Sequence, residues 1–182
     1  MPSFHALSPH AEISGKPLLG MLAALEMAGA PVHEPLALLA KAGVLDPEPE
    51  GWYPQQAILT VLEEAAKRWG PGILHQAGRA IPRTARFPPE IDSLERALLT
   101  LDLAYQVNHR GGLIGHYLGK RLGPKALELL CDNPYGCDFD EGILAALIEW
   151  YGPAGEVPAV AHAPGTGCRR EGAAACAYRI TW

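Results

Sequence analysis

Runs of lysine and arginine are missing from this chain, and its formal net charge is -5 at pH 7. Nucleic-acid binding normally rests on a basic patch or stripe that neutralises phosphates, so that class is set aside. Long apolar runs are missing too: no stretch approaches the roughly 18 residues that a membrane-spanning helix needs. The N-terminus, Met1-Pro2-Ser3-Phe4-His5, has neither the basic n-region nor the apolar h-region of a secretory signal, so a soluble, cytoplasmic protein is expected. Internal repeats and low-complexity tracts are absent, as are the G-x-S-x-G, H-E-x-x-H and C-x-x-C motifs. No reaction can be read from the residues.

The balance of 48% hydrophobic and 19% charged residues in a chain of 182 is that of a globular protein with one core, residues 1–182 forming a single domain. Residues 1–110 read as a mainly helical half. Leu18, Met21, Leu22 and Leu25 set a helix over 17–28, with Ser14 as a cap candidate and Gly29 as a stop. A shorter helix over 34–42 ends at Gly43. The Pro- and acid-rich segment 46–50 breaks the chain before a helix over 54–69 whose stripe is Ile58, Val61, Leu62, Ala65 and Trp69. A weaker helix over 73–80, a loop over 81–89 and a helix over 92–107 complete this half.

The period changes after Gly111-Gly112. Residues 113–122 and 125–131 read as a hairpin turning at Gly123-Pro124, and Asp138 and Glu141 form a D-x-x-E capping pattern at the head of a helix. Segment 157–163 and the alternating run 175–182 supply two more strands. The expected fold class is α+β: N-terminal helices packed on an antiparallel sheet whose C-terminal order, over 111–182, is ββαββ.

All four cysteines lie in that second half, and on this topology they converge at one end of the sheet. Cysteine pairs from two turns commonly supply a tetrahedral zinc site, although the C-x5-C and C-x7-C spacings are looser than the usual knuckle. The alternative is four buried thiols acting as small hydrophobes. Disulfides are disfavoured in a reducing cytoplasm, but the Pro-, Gly- and Ala-rich composition also fits a bacterial thermophile, where that rule weakens.

The ending Cys168-Arg169-Arg170-Glu171-Gly172, followed by Cys176-Ala177-Tyr178-Arg179-Ile180-Thr181-Trp182, resembles the close of 4-vinyl reductase domains, where a C-R-x-x-G-x-x-x-C turn precedes a last aromatic-bearing strand. The resemblance covers 113–182 and implies the fold shared with haem-NO-binding domains and vesicle-tethering subunits. In phenol-sensing relatives zinc is held by a cysteine at the sheet-to-helix turn, an acidic residue and two hairpin cysteines. By position this implies Cys137, Cys168 and Cys176 here. Gly165 stands where the acidic ligand falls, so Cys131 or His162 is left as the fourth.

Tyr105, His109, His116 and Tyr135 are candidates to line a pocket between helices and sheet, with His109 equally suited to a plain helix-end position. The haem branch of the superfamily uses a Y-x-S-x-R motif, absent here, so haem would require His109 or His75 as an axial ligand by another design. The expected function is a small-molecule sensor for a hydrophobic or aromatic compound, non-enzymatic, with a structural zinc and signalling through a homodimer or partner. The competing readings are a metal- or thiol-dependent enzyme on an aromatic or tetrapyrrole intermediate, a haem-based gas sensor, and a scaffold subunit.

Overall fold

The computed structural model describes residues 4–88 and 90–182. Among them, seven α-helices and seven strands follow the order β1(Glu12–Ser14), α1(Gly15–Met27), α2(His33–Lys41), β2(Trp52–Pro54), α3(Gln55–Trp69), α4(Gly72–Thr84), α5(Leu94–Leu99), α6(Leu101–Val107), β3(His109–Arg110), β4(His116–Gly123), β5(Ala126–Asp132), α7(Cys137–Tyr151), β6(Ala159–His162), β7(Cys176–Thr181). The class is α+β, and the C-terminal half has the expected ββαββ order. Its antiparallel sheet runs β4-β5-β7-β6. Register puts Leu127 opposite Ile180, Leu129 opposite Tyr178 and Cys131 opposite Cys176. All six are buried on the helix-facing side, while the next residue in β5, Leu130, is 38% exposed on the other.

The helical half departs from expectation in three places. A second sheet, β2-β1-β3, threads it and ties the chain's beginning to His109-Arg110. Strands of two or three residues are too short to show a period. Residue 89 of the segment 81–89 expected as loop lies outside the described residues, and helix α4 runs on to Thr84 through the first four residues of that segment, with Pro82 in its final turn. There proline costs only the bond to the Gly78 carbonyl, and Ala85 N–H still reaches Ile81 O at 2.9 Å. The helix expected over 92–107 is two helices, divided at Thr100, whose hydroxyl donates back to Arg96 O at 2.7 Å. Such back-bonding by a β-branched residue bends a helix.

Two expected caps are also different. Ser14 does precede α1, but its hydroxyl donates to Asn108 Oδ1 at 3.1 Å rather than capping the helix. Gly136, not Asp138, is the N-cap of α7, because Cys137 already occupies the first helical position. The freed Asp138 carboxylate pairs with Arg170 across the surface.

Helices α4 and α7 pack backbone to backbone through two glycines. A Cβ on Gly78 would lie well inside van der Waals contact with Phe139 O, and one on Gly142 would meet His75 O in the same way. This close approach sets α7 over the sheet and fixes where its first turn, with Cys137 and Asp140, points.

Candidate functional site

Three thiols and one imidazole meet where β6, β7 and α7 begin or end. Cys137 opens α7, His162 ends β6, Cys176 opens β7, and Cys168 precedes a short 3-10 turn at Arg169–Glu171. Cys137 Sγ lies 3.1 Å from Cys176 Sγ and 3.4 Å from Cys168 Sγ, and the last pair is 3.8 Å apart. The four ligand atoms lie within 4.8 Å of one another. The cysteines are free thiols. Sulfurs held at about 2.3 Å from a tetrahedral zinc are separated by roughly 3.8 Å, the spacing of the Cys168–Cys176 pair, so Cys137 would have to move out by a few tenths of an ångström to share one ion with them. His162 is aligned by its ring contact with Tyr178, 4.7 Å between centroids, and its Nε2 is buried with no hydrogen-bond partner among the described residues. A buried nitrogen left this way costs about 1–3 kcal/mol unless something engages its lone pair.

The thiols differ in protonation. Hydrogen bonds from the Cys137 thiol and the Arg169 N–H pull Cys176 far below the ordinary thiol range, while the same contact with Cys176, and burial, push Cys137 up. Cys131 stays outside the group. It is fully buried opposite Cys176, with its thiol pushed well up by burial and by the nearby Asp140 carboxylate. Gly165, in the loop between β6 and β7, contributes no side chain, and His162 is the fourth member of the cluster. The lowered thiol is Cys176, while Cys131 and Cys137 are both pushed up.

Directly behind the thiols is a buried ion pair that composition and period give no sign of. Arg169 Nη2 donates to Asp140 Oδ2, and both side chains are essentially inaccessible. Asp140 also accepts from Tyr117 Oη at 2.7 Å and from Asn133 Nδ2 at 3.4 Å. Desolvation raises the Asp140 carboxyl to about 6 against the opposing pull of Arg169.

A second feature is a small pocket of about 30 Å³, walled by Tyr105, His109, Tyr117, Tyr135, Phe139 and Ile143, among other residues. No charged side chain lines it. His109 Nδ1 faces Tyr105 O at 2.9 Å, so it carries the proton and Nε2 accepts from Tyr135 Oη at 3.0 Å. Burial lowers the imidazole to about 4. Tyr105 Oη donates to Ile114 O at 2.6 Å, and Gln55, absent from the sequence reading, donates its amide to both phenols at 3.4 and 3.5 Å. His116 is not part of this wall. It lies on the exposed side of β4 facing Asp102 at 3.3 Å, and the inward position belongs to its neighbour Tyr117.

The cavity is a fifth of the roughly 150 Å³ that admits benzene, and far below the several hundred that a cofactor-sized ligand fills. A haem does not fit it. Both nitrogens of His109 are already bonded, and His75 does not line it. A larger concavity, about 700 Å³, is an open surface groove between α1, α4 and α7 lined by no histidine or cysteine.

No protein-family model and no curated protein matches the sequence. Solved structures match over almost the whole chain. An H-NOX protein from S. oneidensis in the Fe(II) ligation state superposes with a TM-score of 0.69 at 16% identity, covering 93% of this chain and 95% of that one. The Fe(II)NO state gives 0.66 at 13% identity, covering 92% and 98%. A mutant H-NOX from T. tengcongensis gives 0.61 at 14% identity, covering 91% and 96%. At such identities the likeness is one of fold.

Proposed function

We propose that this chain is a small-molecule sensor domain of 4-vinyl reductase type, built on the fold of the H-NOX structures, in which a structural zinc bound by Cys137, His162, Cys168 and Cys176 pins the C-terminal hairpin to α7. The observation that carries the reading is the cluster of three thiols and one unpartnered, buried imidazole nitrogen. Three thiolates and a neutral imidazole around a divalent ion form a closed, four-ligand set with no open position for substrate. That is the chemistry of a structural rather than a catalytic metal, and it supports a binding domain over an enzyme.

The sensing site is the cavity beneath Tyr105, His109 and Tyr135. Its uncharged lining selects a neutral, largely apolar compound. At about 30 Å³ the pocket is too small for an aromatic ring, which enters only by displacing these side chains. Signal then leaves through a partner or a second copy of the chain.

Elemental analysis of protein purified without added metal is expected to give about one zinc per chain. Cys168→Ser is expected to lose that zinc and unfold at lower temperature, because structural metal affinity is folding free energy. Metal-free protein that melts at the same temperature with and without added zinc would contradict the proposal.

A further inference from the structure

Arg169 is as deeply buried as the thiols beside it, yet it is none of the four candidate ligands. Its side chain is 1% exposed and that of Asp140 0%. Desolvating a guanidinium and a carboxylate together consumes most or all of their mutual attraction, so a buried pair is weak evidence of a stabilising role. Its use here lies in what it joins. Nη2 bonds Asp140 in the first turn of α7, three residues after Cys137. Nη1 bonds the Asn133 carbonyl, and its side-chain oxygen at 2.9 Å, in the segment leading into α7. The backbone N–H donates to Cys176 Sγ at 3.3 Å. Cys168 is its neighbour in the chain. One residue therefore connects the segments that carry all three thiols.

The rest of the stretch it anchors is shaped by local contacts: Ala173 N–H donates to Cys168 O at 3.1 Å, Thr166 Oγ1 donates to Ala163 O at 2.7 Å, and Arg170 pairs with Asp138. Between β6 and β7 there is only the 3-10 turn Arg169–Glu171, ending at Gly172 in the left-handed region, and Gly165 is also at positive φ. Without a fixed point, binding an ion there would first have to order this loop.

We infer that Arg169 is a positioning residue for the metal: clamped by Asp140 and Asn133, it holds Cys168 and Cys176 against Cys137 in the geometry a tetrahedral ion requires. The inference rests on the zinc site proposed above. Tyr117 extends the arrangement, since its hydroxyl fixes Asp140 while its ring walls the cavity. Groups that orient metal ligands from behind typically contribute 10–100-fold in affinity.

The test is chelator competition for zinc on the full chain, together with the visible spectrum of the cobalt(II)-substituted protein. Arg169→Lys keeps the charge but loses the planar fork that reaches Asp140 and Asn133 from two separate nitrogens. Zinc affinity is expected to fall about 10–100-fold and the cobalt ligand-field bands to shift. Tyr117→Phe removes one hydroxyl and conserves volume. It is expected to weaken zinc about fivefold, one hydrogen bond's worth, and it decides the matter should Arg169→Lys not fold. A merely structural role would lower the melting temperature and leave the cobalt spectrum of the folded protein unchanged. Unchanged affinity and spectrum in the folded variants overturn the positioning role. A wild-type chain that takes up neither metal overturns the site itself.

Discussion

Acidification isolates the energetics of the cavity wall through His109. Burial depresses its imidazole from 6.5 to about 4, while the unfolded chain keeps the ordinary value. At neutral pH both states are unprotonated and the histidine imposes no penalty. As pH falls below 6.5 the unfolded state takes up a proton that the folded state refuses, so stability is lost progressively until pH 4. The slope approaches 1.4 kcal/mol per pH unit, and the full loss is about 3 kcal/mol. Asp140 works in the other direction. Its folded value, about 6 against 3.8, gains stability as pH falls through that interval. Release of the proposed zinc at low pH would add a further slope. The wild-type curve alone therefore mixes opposing effects, and the informative quantity is a difference. Urea unfolding of wild type and His109→Gln, followed from pH 7.5 to 4.5, is expected to show the variant less stable at pH 7.5. That gap should close by more than 1 kcal/mol per pH unit below pH 6. A gap independent of pH, or an imidazole resonance of His109 that titrates near 6.5, refutes the reasoning.

Two further outcomes probe the frame that carries both sites. Gly142→Ala forces α4 and α7 apart at His75 O and is expected to cost about 2–4 kcal/mol, read as a thermal shift; a change under 0.5 kcal/mol would mean the helices are not in backbone contact. In β5, Leu129→Ala is expected to cost about 2–5 kcal/mol and Leu130→Ala under 1, since only Leu129 faces the core; equal losses in denaturant titrations would contradict the register.

The C-terminal half was the more legible because its elements are long enough to show their period: the alternation of Cys176, Tyr178 and Ile180 puts them on the buried face seen in the sheet. Short elements were not legible. Strands β1, β2 and β3 owe their existence to partners far away in sequence, and a long apolar stripe conceals the break at Thr100. The same period misplaced one pocket residue by a single step, naming His116 where Tyr117 faces inward. The cysteines could be grouped by topology but not sorted, because the choice between Cys131 and His162 depends on the register of β6 against β7, which pairs His162 with Tyr178. Asp140 and Gln55 left no signal, and Arg169 showed only as part of the C-R-x-x-G turn, since a charged or amide side chain reads as surface until its burial is known.

The zinc K-edge absorption spectrum of the purified protein tests the central claim most directly. The account predicts one zinc per chain bound by three sulfurs at about 2.3 Å and one nitrogen at about 2.0–2.1 Å, with the nitrogen lost in His162→Ala. A shell of four sulfurs would place Cys131 in the site and remove His162 from it, and protein without zinc would leave the cluster as buried thiols only.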